Sequence, residues 1–216
     1  MIKIECFPLG EIEANCYFVT DPEAKVSLLV DMGDASGEVE EKVRQFGADR
    51  LQYLLLTHGH FDHIGYAAQM KQKFPNMQIV IGKEDADFTN DDRLNLAGHF
   101  GLRQEHFTAD ILAEEGSELA FGTETVKVLA TPGHTRGGVC YVLGNSIFTG
   151  DTLFRGSVGR TDFPTSSTPD MLRSVKKLAE LDGNYHLYCG HGADTTLDFE
   201  RKNNMFMRED SYDNLY

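Results

Sequence analysis

A run of seven residues places three histidines and one aspartate directly after an apolar segment. Residues 57–63 read THGHFDH, and residues 51–56 before them have the length and content of a buried strand. Such a polar run does not stabilise a hydrophobic core. Imidazole and carboxylate are instead preferred ligands of zinc and similar divalent ions. A loop leaving a strand can aim the first two histidines at one point, while the helix start turns the aspartate and third histidine toward another. The spacing therefore favours two metal ions over one.

Three further candidate ligands occur in similar settings along the chain. His134 lies in TPGHT, Asp151 in TGDT and His191 in CGHG, and each follows an apolar strand and is preceded by glycine. Glycine lets the backbone turn sharply and approach a metal closely. Because strand ends can converge at one edge of a sheet sandwich, we expect these residues to join the histidine run in one site.

The order of apolar and helical segments predicts the fold class. Strands are expected at residues 2–7, 15–19 and 26–31, and a helix at 36–46 has Ser36 as its N-cap and Gly47 as its stop. The other expected elements are strands at 51–56, 78–81, 125–129, 138–143, 146–148 and 185–189, and helices at 64–74, from a 166–169 cap to 181, and at 199–207. This order predicts an α/β (α+β) protein, a four-layer αβ/βα sandwich of two mixed sheets flanked by helices.

Composition narrows the function classes. The 216 residues are 41% hydrophobic and 25% charged, as in a globular protein, and we expect one domain spanning residues 1–216. A net charge of −14 disfavours nucleic acid as a partner, because phosphate backbones would be repelled. Apolar runs too short to cross a bilayer, and a start without a signal segment, predict a cytoplasmic protein that does not bind membranes.

The motifs resemble those of the metallo-β-lactamase superfamily in their order and intervals. HxHxDH at residues 58–63 is followed by PGHT at 132–135, GDTLF at 150–154 and GHG at 190–192. Within that superfamily, GDTLF together with GSVGR at 156–160 is similar to the glyoxalase II, or hydroxyacylglutathione hydrolase, branch. The resemblance covers nearly the whole chain and implies the sandwich fold and a metal-dependent hydrolase.

Carried over motif by motif, the resemblance implies two metal sites that share one ligand. His58, His60 and His134 would hold the first ion, Asp62, His63 and His191 the second, and Asp151 would bridge them. The ions would be zinc first of all, with iron and manganese as alternatives. A hydroxide shared by them and oriented by Asp62 would attack the carbonyl of a small thioester or ester resembling S-lactoylglutathione. No serine or cysteine nucleophile is required.

Two features depart from the glyoxalase II pattern. Only 25 residues follow His191, so the expected domain lacks the C-terminal helical region that supplies glutathione contacts in that enzyme. Ala193 stands where a tyrosine is usual, and Asp162 where an aromatic is usual. Arg160 has two interpretations: its fork of donors binds a substrate carboxylate, or it forms an ion pair with Asp162.

Other residues keep two interpretations as well. Asp31 resembles the acidic residue that ties down the histidine loop in the superfamily, and its alternative is a turn-forming role. His99 and His106 flank residues 85–105, the segment hardest to assign, and are candidates for the wall of a substrate pocket. Residues 205–207 would either cover the mouth of the site or pack as one face of a helix.

The main alternative function is that of a persulfide dioxygenase on the same scaffold. The GRTDF sequence at residues 159–163 is similar to those oxidoreductases, in which a single iron uses two histidines and one carboxylate. Here those ligands would be His58, His134 and Asp151. The same side chains accept zinc, iron or manganese, so the identity of the metal separates the two classes.

Overall fold

The computed structural model describes residues 1–208, and it contains two six-stranded sheets. Residues 209–216 of the expected single domain lie outside the described residues. The strands of the first sheet, which neighbour one another in chain order, are β1 (Lys3–Leu9), β2 (Ala14–Asp21), β3 (Val26–Val30), β4 (Leu51–Leu56), β5 (Gln78–Gly82) and β6 (Ile111–Ala113). The pairs from β1 to β3 are antiparallel and those from β3 to β6 are parallel.

The second half of the chain forms the other sheet. Its first strands are β7 (Glu118–Phe121), β8 (Glu124–Ala130), β9 (Val139–Leu143) and β10 (Ser146–Gly150). A small ribbon of β11 (Leu153–Phe154) and β12 (Ser157–Val158) follows, and β13 (His186–Cys189) and β14 (Thr195–Thr196) then complete the sheet. The order is β14-β13-β10-β9-β8-β7, and the β10–β13 pair is its parallel pair.

Helices cover the outer faces of both sheets. They are α1 (Gly37–Gly47), α2 (Phe61–Ile64), α3 (Ala67–Lys73), α4 (Thr168–Ala179) and α5 (Leu197–Asn203), with 3₁₀ turns at Ala48–Arg50, Lys83–Asn90, Ala97–Phe100 and Met205–Met207. Within the described part of the chain, no helix is long and apolar enough to cross a membrane.

Three apolar clusters define the layers. One lies between the two sheets and contains Leu28, Phe121 and Tyr141. A second packs the first sheet against α1 and α3, and a third packs the second sheet against α4 and α5. The prediction of a four-layer αβ/βα sandwich of two mixed sheets is confirmed.

Most of the expected elements are found within one or two residues, but two helices differ. The helix expected at 64–74 is interrupted at Gly65, because the amide of Tyr66 donates to Met32 O (2.9 Å) instead of continuing the helix. The helix expected at 199–207 ends at Asn203, because the side chain of Asn204 accepts from the amide of Phe206 and starts a 3₁₀ turn.

Candidate metal centre

The strand directions bring all the candidate ligands to one edge of the sandwich. β3 and β4 are parallel, so Asp31 and the 57–63 loop emerge side by side. In the second sheet β8 runs in the same direction as β10 and β13, because each is antiparallel to β9 or parallel to β10. The turns after these strands carry His134, Asp151 and His191.

The seven predicted ligands form three overlapping groups whose ligand atoms lie within 4.8 Å of one another. The groups are His58, His60 and His134; His58, His63 and Asp151; and Asp62, His63 and His191. The first and third groups have the membership expected for the two metals. Asp151 lies between them, with Oδ1 3.4 Å from His63 Nε2 and Oδ2 3.4 Å from His134 Nε2.

Hydrogen bonds at the rear of three rings fix the atoms that point inward. His63 Nδ1 donates to Asp31 Oδ2 (2.8 Å), and His134 Nδ1 donates to the carbonyl oxygen of Arg160 (2.8 Å). The hydroxyl of Thr57 donates to Asp31 Oδ2 and therefore accepts from His58 Nδ1 (3.1 Å). His58 and His134 thus keep their proton on Nδ1 and present the bare Nε2 lone pair, the form in which imidazole binds a metal, and the bond to Asp31 aims His63 Nε2 at the same space.

The inward atoms fit a bound cation better than they fit one another. His58 Nε2 and Asp151 Oδ1 are buried without a hydrogen-bond partner, which is costly in a protein interior. His60 Nδ1 lies 2.9 Å from His134 Nε2, and His63 Nε2 lies 3.2 Å from His191 Nε2. Divalent ions would satisfy all of these nitrogen and oxygen lone pairs at once.

Burial and neighbouring charges hold most of these groups in the ionisation states that ligands need. Burial, reinforced by neighbouring histidines, lowers the pKa of His58 well below its ordinary value and that of His60 to about 3. Burial alone would raise the pKa of Asp151, but His63 and His134 outweigh it and hold that pKa well below its usual range. Burial alone would likewise lower the pKa of His63, but the surrounding carboxylates raise it well above its ordinary value.

Asp31 ties the histidine loop to the first sheet. Its Oδ1 accepts from the amide of Thr57 (2.8 Å), and its Oδ2 accepts from the Thr57 hydroxyl (2.8 Å) and from His63. Both oxygens are thus engaged by residues 26 to 32 positions away rather than by a local turn. The backbone φ of Asp31 is +55°, a left-handed conformation that aspartate and asparagine adopt more readily than most residues.

Asp85 is a site-supporting residue that the sequence analysis missed. Its carboxylate accepts from the Gly59 amide (2.9 Å), the Thr135 hydroxyl (2.6 Å) and the Gly137 amide (2.8 Å). It therefore connects the histidine loop to the turn that carries His134. Burial raises its pKa to about 6, and these donors offset that effect only in part. Its position shortly after the buried strand β5, like that of Asp31 directly after β3, is the sequence feature that could have indicated this role.

Two other elements hold the ligand-bearing turns. The side chain of Asn15, on β2, donates to the carbonyls of Cys189 and Gly192 (3.0 Å each), on either side of His191. At the start of α4, Ser166 Oγ donates to His134 O (2.6 Å) and the Ser167 amide donates to Gly133 O (2.8 Å). The sequence analysis did not assign these supporting contacts.

The glycines before the candidate ligands lie so close to neighbouring atoms that a side chain would not fit. A Cβ atom on Gly133 would lie 2.4 Å from Met171 Cα, and one on Gly190 would lie 2.2 Å from Asp151 Oδ1. Gly150 has φ +48°, and its Cβ would lie 2.4 Å from the Thr57 hydroxyl oxygen. A side chain at any of these positions would push a ligand or its support out of place.

Arg160 is placed in the ion pair. Its Nε and Nη2 lie 2.6 and 2.7 Å from the two carboxylate oxygens of Asp162, and its guanidinium covers the ring of Phe163 at 4.2 Å. Its side chain also borders the cavity above the metal centre. Its role in binding a substrate carboxylate stays a prediction.

A cavity of about 460 Å³ opens above the ligands. His60, Asp62, His134, Asp151 and His191 reach its surface, and its walls are mostly apolar. From the segment that was hard to assign, Leu96 and Phe100 line this cavity, whereas His99 and His106 do not. His106 instead pairs with Asp92, and Phe206 and Met207 pack into the α4 and α5 cluster.

Comparison with known proteins agrees with this geometry. The sequence model of the metallo-β-lactamase superfamily matches residues 9–191. The chain belongs to that superfamily. The chain is therefore a metallo-hydrolase of this superfamily, and the His/Asp groups described above are its candidate metal ligands.

Three proteins are similar to this chain over nearly their whole length. Hydroxyacylglutathione hydrolase GloC of Haemophilus influenzae is 33% identical over 215 residues, which are 97% of this chain and 100% of that protein. The structure of BLEG-1, a B3 metallo-β-lactamase, superposes with a TM-score of 0.83 at 31% identity, covering 96% of this chain and 99% of that one. TTHA1623, solved in a di-iron-bound form, superposes with a TM-score of 0.81 at 31% identity. The match covers 94% of this chain and 99% of that one.

Proposed function

We propose that this superfamily member is a dinuclear metal-dependent thioesterase that hydrolyses small thioesters or related esters. The observation that carries the proposal is the pair of three-residue groups joined by Asp151, with ring nitrogens facing inward. The similarity to a hydroxyacylglutathione hydrolase supports thioester chemistry, and the similarity to a protein solved with two irons supports a two-metal centre.

The bound metals would supply the chemistry that the side chains lack. Two divalent ions held by the seven ligands would lower the pKa of a water molecule and polarise the substrate carbonyl. The described cysteines do not offer a competing nucleophile, because burial raises the pKa of Cys140 to about 11 and that of Cys189 to about 12. These thiols stay protonated at neutral pH and cannot attack as thiolates.

The chain's own residues position the reactants. Asp62 reaches the cavity floor, where its Oδ2 lies 3.3 Å from His191 Nε2. Burial alone would raise the pKa of Asp62, but His63 and His191 outweigh it and keep the carboxylate ionised. An ionised Asp62 can accept a hydrogen bond from the attacking water and fix the direction of its lone pair. The apolar walls of Phe154 and Phe163 limit access of bulk water to that position.

The persulfide dioxygenase alternative would use fewer of these groups. A single iron on His58, His134 and Asp151 would leave Asp62, His63 and His191 assembled without a metal. We therefore favour the hydrolase, with zinc as the first candidate metal and iron or manganese as the others.

A thiol-release assay on the metal-loaded protein tests the proposal. We expect hydrolysis of S-lactoylglutathione or of a simple acyl thioester, and Asp62→Asn should lower kcat on the order of 100-fold because a neutral amide is a weaker acceptor for the water and a weaker metal ligand than the carboxylate. Asp182→Asn, at an exposed position away from the cavity, is the matched control and should leave kcat unchanged. Oxygen uptake with glutathione persulfide, without thioester hydrolysis, would contradict the proposal.

A further inference from the structure

A second cavity continues outward from the metal centre. It has a volume of about 560 Å³ and shares Ile12, Phe61 and Phe100 with the cavity above the ligands. Leu9 and Leu102 line its far part. We call the surface formed by these five residues the outer groove. Because the two cavities share walls, a molecule bound at the metals can extend directly into the outer groove.

Three large apolar side chains of the outer groove are exposed to solvent. Ile12 is 45% exposed, Phe100 60% and Leu102 50%. The rings of Phe61 and Phe100 are in contact, with centroids 5.0 Å apart, so the exposed side chains form one patch rather than scattered points. Contiguous apolar patches beside a polar site usually mark where an apolar part of a ligand binds.

The charged residues that line the outer groove are all acidic. Glu11, Asp34 and Asp62 line it, and its described lining contains no lysine, arginine or histidine. In the inner cavity, the arginine on the wall is Arg160, whose guanidinium is already engaged by Asp162. A carboxylate held against this lining would face Glu11 and Asp34 and no cationic lining residue, which disfavours its binding.

We propose that the outer groove binds an uncharged hydrocarbon arm of the substrate and disfavours carboxylate-bearing arms such as the glutathione tripeptide. This inference rests on the proposed thioesterase function and narrows its substrate class to thioesters with an apolar chain of several carbons on a neutral carrier. The hydrocarbon lies over Phe61 and Phe100 and reaches Leu102, while the reacting carbonyl stays at the metal centre.

Binding of non-reacting probes tests the groove without depending on turnover. The probes are thioethers of N-acetylcysteamine that carry methyl, butyl or hexyl groups, titrated calorimetrically into the metal-loaded protein. We expect each added methylene to tighten Kd by about twofold to fourfold, because it removes apolar surface from water. S-hexylglutathione, which adds carboxylates to the same chain, should bind more weakly than the hexyl probe on the neutral carrier.

A matched pair of leucine variants tests whether the dependence of affinity on chain length arises in the outer groove. Leu102→Ser should weaken hexyl binding about fivefold and leave methyl binding unchanged, because only the longer chain reaches position 102. Leu112→Ser removes a leucine of similar exposure (49%) on β6, outside the groove, and should change neither.

The outcomes separate this inference from the proposed function. Equal binding of the methyl and hexyl probes, or tighter binding of S-hexylglutathione, would overturn the groove assignment even if thioesters are hydrolysed. A chain-length trend lost in Leu102→Ser, in a protein that hydrolyses no thioester, would support the groove and refute the proposed function. If a second copy of the chain covered this face, the trend would be absent and the mass in solution would be that of a dimer, which also overturns the assignment.

Discussion

Two buried carboxylates, Asp31 and Asp85, hold the candidate metal ligands in place through hydrogen bonds. Asp31 fixes the ring of His63 and the start of the histidine loop. Asp85 joins the amide of Gly59 to the turn after His134. Both act through fixed hydrogen bonds, so their contribution is measurable as metal affinity and stability rather than as chemistry.

Replacing Asp31 by asparagine should weaken metal binding by about 10-fold to 100-fold. An amide accepts at one end only, so its NH2 group would face either the Thr57 amide or the His63 Nδ1–H, and the arrangement that orients the His63 ring is weakened. Asparagine tolerates the positive φ at this position, so the backbone turn is preserved. Competition with a chromophoric chelator measures the affinity, with Asp182→Asn as the control. Unchanged affinity in Asp31→Asn would assign Asp31 to the turn alone.

Asp85 should make stability depend on pH in a defined window. Its pKa is raised to about 6 from an ordinary value of 3.8, so between these values the folded protein binds the proton more tightly than the unfolded chain. The free energy of unfolding therefore falls as the pH rises from about 4 to about 6, by about 3 kcal/mol from this group. Asp85→Asn removes that titration.

Urea unfolding of the metal-free wild type and of Asp85→Asn at several pH values between 4 and 6 checks this dependence. The wild type should lose stability relative to the variant across the window, because the variant has no carboxylate to ionise at position 85. A difference between the two proteins that does not change with pH would show that Asp85 titrates normally.

The candidate site could be predicted from sequence where ligands are adjacent or follow a glycine at a strand end. His58 to His63 form a local pattern, and the Gly-His and Gly-Asp pairs mark the other turns. Asp85 could not be assigned in the same way, because its partners are two backbone amides and a hydroxyl up to 52 positions away. Asn15 supports His191 through carbonyls that carry no sequence signal at all.

The helix α4 contributes no candidate ligand but contacts a turn that carries one. Ser166 and Ser167, which directly precede it, bond to the His134 turn, and Ser174 Oγ on the helix donates to Pro132 O (2.7 Å). The helix therefore sets the position of a metal ligand although it contributes none itself. Ser167 caps α4 as the sequence predicts, by accepting from the amide of Asp170.

Gly133→Ala should disturb both this packing and metal binding. The residue has a positive φ of +149°, and an added methyl group would collide with the backbone of Met171 on α4. Gly116→Ala is the control, because Gly116 also has a positive φ but no atom within 4 Å of the added methyl. We expect Gly116→Ala to lower the free energy of unfolding by about 1 kcal/mol and to leave metal content unchanged.

Gly133→Ala should cost clearly more stability than Gly116→Ala and should also lose metal, because His134 moves with the displaced turn. Denaturant unfolding and elemental analysis of both variants give the comparison. Equal losses of stability with full metal content in both variants would show that the contact between α4 and the turn does not position His134.

The strands and the capped helices could be predicted because their signals are local: Ser36 does cap α1, and Gly144-Asn145 does join β9 to β10. The interruption at Gly65 could not, because it arises where the Met32 carbonyl, from another part of the chain, takes the amide of Tyr66. The edge strand β6 is three residues long and shows no alternation that would mark it.

At the scale of the whole molecule, the sandwich serves to bring strand ends from both sheets to one edge. Asp31 and the histidine run come from the first sheet, and the other ligands come from the second. The parallel pairs β3–β4 and β10–β13 are what make this convergence possible. The metal centre therefore joins the two sheets, and the outer groove lies beside it where the first sheet's loop at Ile12 approaches Phe61 and Phe100.

The number of metal ions per chain tests the central claim most directly. The protein would be purified without added metal, and its zinc, iron and manganese measured per chain by elemental analysis. The seven ligands in two groups joined by Asp151 predict close to two ions per chain, falling to about one in His191→Ala, which removes a ligand of the second group only. One ion per wild-type chain, unchanged in His191→Ala, would contradict the dinuclear centre.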